Sequence, residues 1–466
     1  MISFLKFTLI SFLQPCLGFI LLPIYLNYIP VEEYGVLTLL IAFFAIFNSF
    51  SFLKTDMAMR TLYFEYSEKK EKENLFSQLF SFNISLGLLW IVFFLIAGNF
   101  IFEISFVNAI NFYPYGILFL IQTLLSGINN LYIIYIQNQK NANLYSKIIS
   151  TTVLGQAFLQ FFLIVIFSEG ILGYLYGTIA VQLVLFLYIL LHQKKCKLFN
   201  FKNDSLIKSL KFSIAFVPFL ILLIIEGNID KFILEKYKPL TTVAEFGVLL
   251  SLSAILVLSL NILDNAIRPF LYSFLVKPNK NNTLEISTLT QFYLDFAAVI
   301  SCVLFFIGVN ISEILQPQHY QNIYSFLPLL SISLVPYILN RYFSMVLVQQ
   351  KKTKLLNQVY FFKVLIIIVL LYALIPSYGI NGILYTALIS NSINLIIYYK
   401  IVNGITKTIL NLNTLRTLGF VSLFLSFTLL IKKHEYLQIY SIVLLLFVVI
   451  IVLKNHLNEL KKYLRR

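Results

Sequence analysis

One arginine lies deep inside a long apolar stretch of the sequence. Arg341 stands eight residues before Gln349, within the run 323–348. A charge at such a depth in a membrane usually faces the bundle interior or a water-filled cavity, and a planar guanidinium can bind phosphate through two N–H groups at once. The position therefore predicts a site for a phosphorylated headgroup, with snorkelling of Arg341 to the inner surface as the alternative.

Two further residues belong to this hypothesis. Lys363 lies about two helical turns inside the run 356–375, where it could contact a headgroup or snorkel instead. Asn130 occupies the position that corresponds to Arg341 in an internal repeat of the sequence, described below. Because Asn130 is neutral, we expect the binding charge in one half of the molecule only.

Acidic residues near apolar stretches are candidates for ion coupling. Glu226 and Asp230 are four residues apart, a spacing that places them on one helix face, and Asp295 lies early in the run 289–311. All three carboxylates could carry H⁺ or Na⁺, and Glu226 and Asp230 could instead bind hydroxyl groups of a ligand. For Asp230 the alternative is an ion pair with Lys231 that anchors a helix end at the membrane surface.

The motif Asp-x-Ala-x-Arg occurs twice. Asp56 and Arg60 form the first copy, and Asp264 and Arg268 form the second. The i, i+4 spacing predicts an ion pair within each helix, at the inner membrane surface. These pairs could pin the helix ends there or gate the cytoplasmic side.

Sequence motifs for catalysis and metal binding are missing. The three cysteines, Cys16, Cys196 and Cys302, are far apart and form no C-x-x-C pair. The sequence also contains no H-E-x-x-H, G-x-S-x-G or phosphate-binding G-x-x-x-x-G-K-[ST] pattern. We therefore expect no metal site, no cofactor and no enzyme activity.

Membrane-spanning helices must position these residues. Of the 466 residues, 59% are hydrophobic and only 12% are charged, which excludes an ordinary soluble domain. Apolar runs long enough to cross about 30 Å of hydrocarbon predict an all-α polytopic membrane protein with about 14 transmembrane helices. The runs lie near 4–28, 36–53, 79–101, 113–136, 148–167, 171–191, 212–233, 243–263, 289–311, 323–348, 356–375, 379–399, 415–431 and 437–453.

The basic residues predict the orientation of these helices. With both termini cytoplasmic, 29 of the 35 Lys and Arg residues fall in inner segments, five fall in outer loops, and Arg341 lies within a span. The net charge of +15 is then mostly a topology signal, so we expect no nucleic-acid partner.

The first run is longer than the apolar core of a signal peptide, and we interpret it as a span. The polar intervals 54–78 and 192–211 could each hold an in-plane amphipathic helix or a solvated basic connector.

The two halves of the chain match at an offset near 210. The matching segments are 33–37 with 245–249, 56–60 with 264–268, 139–140 with 350–351, and 170–173 with 379–382. Each repeat contains six spans, an even number, so the two repeats run parallel, as in transporters whose halves rock against each other. We predict lobes at 1–200 and 201–411, followed at 412–466 by two extra helices and a basic cytoplasmic tail.

Several segments resemble one transporter family. They are 23–26 (Pro-Ile-Tyr-Leu) and 31–36 (Val-Glu-Glu-Tyr-Gly-Val), then 211–214 (Lys-Phe-Ser-Ile) with Pro218, 230–234 (Asp-Lys-Phe-Ile-Leu) and 244–248 (Ala-Glu-Phe-Gly-Val). In order and spacing they resemble bacterial polysaccharide flippases, the Wzx-type members of the multidrug/oligosaccharidyl-lipid/polysaccharide exporter superfamily. The resemblance covers essentially the whole chain.

The resemblance implies a function and a location. The expected activity is movement of an undecaprenyl-diphosphate-linked oligosaccharide from the cytoplasmic to the outer leaflet of the bacterial inner membrane by alternating access, for O-antigen, lipopolysaccharide, capsule or related surface polysaccharide. The expected partners are this lipid-linked oligosaccharide, membrane lipid and other polysaccharide-assembly proteins. One alternative is a drug or cation antiporter on the same fold, whose cavity acidic residues should dominate. The other is a membrane glycan polymerase, an enzyme that generally has a long outer loop.

Overall fold

The computed structural model describes residues 2–107, 110–192, 204–214, 217–276, 325–350, 352–406 and 438–448, together with single positions and short pieces between 291 and 323. Every regular element within these residues is helical, which confirms the all-α polytopic fold. The chain divides into two compact units, Met1–Gly247 and Val248–Arg466. The division into lobes at residue 200, predicted from the repeat, stays a prediction.

The first unit contains ten helices and the start of an eleventh among its described residues. They are α1 (Ile2–Tyr28), α2 (Val31–Ser51), α3 (Thr55–Leu62), α4 (Lys69–Ser105), α5 (Ile117–Asn138), α6 (Ala142–Phe161), α7 (Gly170–His192), α8 (Asp204–Ile214), α9 (Val217–Glu226), α10 (Ile229–Tyr237) and α11 (Leu240–Val276). A π-helical turn, Phe112–Gly116, precedes α5, and another, Phe162–Ile166, follows α6.

The second unit contains the rest of α11 and four further helices within its described part. They are α12 (Leu327–Gln349), α13 (Thr353–Tyr378), α14 (Ile380–Thr406) and the short α15 (Gln438–Val448). The predicted span 415–431 lies outside the described residues, and the spans 289–311 and 437–453 are described only in part.

The described residues include nine helices that are long and apolar enough to cross a membrane. Each of the nine coincides with a predicted span, which confirms a multi-pass membrane protein. The predicted span 212–233 is different, because it consists of the end of α8, all of α9 and part of α10. The break between α9 and α10 falls at Gly227 and Asn228, two residue types with low helix propensity.

The structure describes two of the connections between the predicted spans. The polar interval 54–78 contains α3 and the first turns of α4, whose start at Lys69 is capped by Glu68 and Glu71. Between the predicted spans 356–375 and 379–399, α13 continues through Pro376 and ends at Tyr378. Gly379 makes the turn, with a φ of 55° that glycine adopts without steric cost.

The internal repeat is visible as the same interhelical hydrogen bond in each unit. Asn129 Nδ2 on α5 donates to the main-chain oxygen of Gln182 on α7 at 2.8 Å. Asn340 Nδ2 on α12 donates to the main-chain oxygen of Asn391 on α14 at 2.9 Å. These residues are related by offsets of 211 and 209 in the sequence. The parallel repeat therefore extends to the packing of corresponding helices.

The Glu-x-Gly segments of the two repeats form a close helix crossing in the first unit. A Cβ atom on Gly35 of α2 would lie 2.3 Å from the carbonyl oxygen of Leu240, at the start of α11. A Cβ atom on Gly247 would lie 2.3 Å from Oγ1 of Thr38 on α2. Real Cβ atoms cannot approach so closely, so each glycine allows α2 and α11 to pack at this distance.

Candidate functional site

A polar cavity lies between helices of the first unit. It consists of two adjoining hollows of about 300 and 380 Å³, which share the lining residues Ser126, Ile133 and Gln182. Residues from α1 to α7 contribute to the lining. Eight of the side chains are amides: Asn48, Asn83, Asn129, Asn130, Gln122, Gln156, Gln160 and Gln182. We call this feature the amide-lined cavity, and its size is in the range of ligand pockets.

Some of these amides are fixed by the fold and others are available. Gln160 Nε2 donates to Oγ1 of Thr178 at 2.8 Å, and Asn129 Nδ2 donates to Oε1 of Gln182 at 2.8 Å. Oε1 of Gln122 is buried and accepts no hydrogen bond from the described part of the chain. Asn130 and Gln156 form no hydrogen bond to that part either. Because an amide both donates and accepts, such side chains can bind hydroxyl groups of an uncharged ligand.

The amide-lined cavity carries one positive and one negative side chain within the described residues, Lys54 and Asp56. A left-handed turn at Leu53 and Lys54, with φ angles of 49° and 56°, connects α2 to α3 and brings this pair to the cavity. The predicted ion pair between Asp56 and Arg60 is wrong: Arg60 is exposed, and the two side chains form no ion pair. The i, i+4 spacing makes such a pair possible, but Asp56 lines the cavity instead.

In the second unit, Arg341 lies in a network of hydrogen bonds. Nε of Arg341 donates to Oδ2 of Asp264 at 3.0 Å, and Nη2 donates to the same oxygen. Nη2 also donates to Oδ1 of Asn261 at 2.7 Å, and Nη1 donates to the hydroxyl of Tyr337 at 3.3 Å. The Arg341 side chain keeps 24% of its surface exposed, whereas Asp264 keeps 4%. The guanidinium is thus oriented by its neighbours but still accessible.

Asp264 forms an ion pair with Arg341 on another helix. Its Oδ1 accepts a hydrogen bond at 2.8 Å from the hydroxyl of Tyr293, a buried residue whose ring packs against Tyr342. The predicted ion pair of Asp264 with Arg268 stays a prediction. The side chain of Arg268 lies outside the described residues. Long-range packing of α11 on α12 brings together two candidates that the sequence treated separately.

The other candidates have separate surroundings. Lys363 is buried, 6% exposed, with its Nζ 5.7 Å from the ring centroid of Tyr360. Asp295 is fully buried in the second unit. Glu226 ends α9 whereas Asp230 begins α10, so the prediction that they share a face of one helix is wrong. Asp230 forms an ion pair with Lys231, which is the alternative that the sequence left open.

Sequence reasoning missed most of the amide-lined cavity. Of its lining residues only Asn130 and Asp56 are among the candidates named above, because a single Asn or Gln in an apolar helix carries no local signal. One signal was present: amides recur along the spans that become α4 to α7, at positions 83, 122, 129, 130, 156, 160 and 182. Tyr25 and Tyr174, whose ring centroids are 5.9 Å apart, also line the cavity.

The described residues contain no group of three or more His, Cys, Asp or Glu side chains that could hold a metal ion.

The fold is similar to that of solved structures of MATE family transporters and of the flippase MurJ. A structure entitled lipid II flippase MurJ, in an inward closed conformation, covers 97% of this chain and 99% of its own with a TM-score of 0.67 at 17% identity. An inward-facing multidrug resistance MATE family transporter of the MOP superfamily covers 88% and 94%, with a TM-score of 0.67 at 14% identity. An outward-facing structure with the same family title gives a TM-score of 0.59 at 14% identity, over 87% and 96%. At these identities the likeness shows the fold.

The sequence then identifies the family. A family model described as polysaccharide biosynthesis protein matches residues 3–275, more than half of the chain. The chain belongs to the polysaccharide biosynthesis protein family, which confirms the resemblance to polysaccharide flippases. A search of curated protein sequences gives no match.

Proposed function

We propose that the protein moves an undecaprenyl-diphosphate-linked oligosaccharide from the cytoplasmic to the outer leaflet of a bacterial inner membrane. The observation that carries the proposal is the amide-lined cavity of the first unit. Its eight amides offer both donors and acceptors, and its two charges, Lys54 and Asp56, are of opposite sign. A polar, hydroxyl-rich glycan needs such a lining, because each hydroxyl taken out of water costs free energy unless it forms a hydrogen bond.

In this proposal Arg341 binds the diphosphate. Hydrogen bonds to Asn261 and Tyr337 hold its guanidinium in place. The carboxylate of Asp264 neutralises the guanidinium and accepts its hydrogen bond through an oxygen atom, as a phosphate would. Bidentate Arg–phosphate pairs are among the strong hydrogen-bonded contacts in proteins. An arriving diphosphate competes with Asp264 for the guanidinium, and the buried Lys363 of the same unit is the second candidate contact for the headgroup.

The remaining parts of the proposal concern topology and coupling. Both termini are cytoplasmic, the two repeats alternate access, and the cargo serves O-antigen, lipopolysaccharide, capsule or related assembly together with other assembly proteins. Asp295 and Glu226 are the carboxylates through which H⁺ or Na⁺ would be coupled, and the two motifs with Asp56, Arg60, Asp264 and Arg268 would gate the inner side. Transport of this kind forms no covalent bond, in keeping with a protein that is not an enzyme.

A drug or cation antiporter is the second candidate, and the fold likeness to MATE transporters favours it. Against it stands the amide-lined cavity, where Asp56 is the one acidic residue within the described lining and has Lys54 beside it. A cavity for organic cations should instead present an excess of negative charge. A glycan polymerase has no support from the comparisons.

Complementation in cells that lack their own polysaccharide flippase tests the proposal. Cells that produce Arg341→Ala should lose glycan export, and Arg341→Lys should restore part of it, because lysine provides the charge without the planar fork. Lys69→Ala is the matched control, since Lys69 is 87% exposed at the start of α4. Full export by an Arg341→Ala protein that inserts normally would contradict the headgroup role.

A further inference from the structure

The break in the predicted seventh span contains a buried ammonium group. Lys231 is 5% exposed, although it follows directly on the turn Gly227–Asn228 between α9 and α10. A buried lysine loses its hydration and must recover those interactions from the protein. The contacts of its Nζ atom therefore show which protein groups replace the lost water.

Three oxygen atoms converge on Nζ of Lys231. The carbonyl oxygen of Gly227 is 2.9 Å away, Oδ1 of Asp230 is 3.2 Å away, and Oδ1 of Asn228 is 3.3 Å away. The ring centroid of Phe246 covers the group at 5.9 Å. An ammonium has three N–H donors, so these oxygens satisfy all of them, and the ring adds a cation–π contact.

The three oxygens belong to the turn itself. The main-chain N–H of Lys231 donates to Asn228 O at 3.2 Å and to Asp230 Oδ1 at 2.9 Å, which leaves the Gly227 carbonyl to the side chain. One backbone carbonyl, one amide oxygen and one carboxylate are hard oxygen ligands, the kind that also bind simple metal cations. The carboxylate contributes one negative charge, which a single monovalent cation balances.

We infer that the ammonium of Lys231 is a built-in substitute for a monovalent metal ion, and that Gly227, Asn228 and Asp230 form a site for Na⁺ or K⁺ once this ammonium is removed. The native protein then has a permanent cation at the break. Asp230 is held in an ion pair and does not carry a coupling ion. This inference goes beyond the proposed function and does not depend on the cargo.

Thermal unfolding of the purified full-length protein tests the inference, in NaCl, KCl or choline chloride at equal ionic strength. Choline is too bulky to reach the three oxygens. The wild-type Tm should be the same in all three salts. The Tm of Lys231→Met should be lowest in choline and should rise saturably with Na⁺ or K⁺, by about 2–4 °C, as expected for a ligand that binds only the folded state.

Two further variants control the test. Lys236→Met removes an exposed lysine of the same helix and should give no salt-specific change. The double variant Lys231→Met/Asp230→Asn should lose the response to Na⁺ and K⁺. If Lys231→Met does not fold, Lys231→Gln keeps one N–H donor for Gly227 and should show the same dependence. A wild-type Tm that rises saturably with Na⁺ or K⁺ would overturn the inference, as would an equal Tm in all three salts for the single variants Lys231→Met and Lys231→Gln.

Discussion

At the scale of single residues, charge inside this protein is matched locally. Asp264, 4% exposed, faces Arg341, and Asp230 faces the buried Lys231. Each ion pair replaces water that the buried groups have lost, and removing one partner leaves the other charge uncompensated. The effect of an Arg341 variant on glycan export therefore has to be separated from its effect on the free energy of unfolding.

The Arg341–Asp264 pair provides that separation. Arg341→Ala should lower the free energy of unfolding by about 3–5 kcal/mol, because Asp264 then stays buried without its counter-charge. The neutral pair Arg341→Gln/Asp264→Asn should recover most of this loss, whereas glycan export should be absent in both proteins. Denaturation and complementation measure the two effects. Export at the wild-type level by the neutral pair would exclude a role of the charge in cargo binding.

The amide-lined cavity makes a separate prediction. Asn130→Leu and Gln156→Leu remove side chains that form no hydrogen bond to the described part of the fold. We expect the double variant to export glycan at least about tenfold more slowly, since each hydroxyl left without a partner costs about 1–3 kcal/mol. Its Tm should stay close to that of the wild type.

Asn74→Leu is the control for this experiment, because Asn74 is an exposed amide of α4 outside the cavity lining. Equal export by the double variant and the control would mean that these amides do not contact the cargo.

The sequence predicted Arg341 and Asp264 individually but not their contact. A contact across 77 residues depends on how α11 and α12 pack, and no local spacing records that.

At the scale of elements, the nine long apolar helices of the described residues follow directly from hydropathy. Short polar helices and helix breaks cannot be located in this way, because the mean hydropathy of a span-length window averages over them. One example is the pair α3 and α8, where Nζ of Lys208 donates to Oε2 of Glu65 at 2.7 Å. This hydrogen bond raises the pKa of Lys208, so the lysine stays protonated throughout the neutral range. For the intervals 54–78 and 192–211 the sequence left open an amphipathic helix or a basic connector, and the structure has a short helix in each, α3 and α8, which pack against each other.

The crossing of α2 and α11 gives a prediction at this scale. Gly35→Ala places a Cβ atom 2.3 Å from the carbonyl oxygen of Leu240, so the helices must separate. The free energy of unfolding should fall by about 1–3 kcal/mol, the usual cost of overpacking. Gly18→Ala is the matched control, because nothing lies within 4 Å of its added Cβ, and alanine favours the helix by about 0.5–1 kcal/mol. A Gly35→Ala protein as stable as the wild type would contradict the close crossing.

At the scale of the whole molecule, two related units have diverged in charge. Both keep the same hydrogen bond, from Asn129 in one and Asn340 in the other, but the next residue is Asn130 in the first unit and Arg341 in the second. The sequence repeat predicted this difference. In the proposed function the first unit binds the uncharged part of the cargo and the second binds its anionic part. A lipid-linked glycan contains both kinds of group.

The leaflet in which lipid-linked oligosaccharide accumulates when the protein is depleted tests the central claim most directly. A membrane-impermeant, sugar-modifying reagent applied to intact and to opened cells distinguishes the two leaflets. We predict accumulation in the cytoplasmic leaflet, reversed by the wild-type protein and not by Arg341→Ala. Accumulation in the outer leaflet, or no accumulation at all, would contradict a role in flipping this cargo.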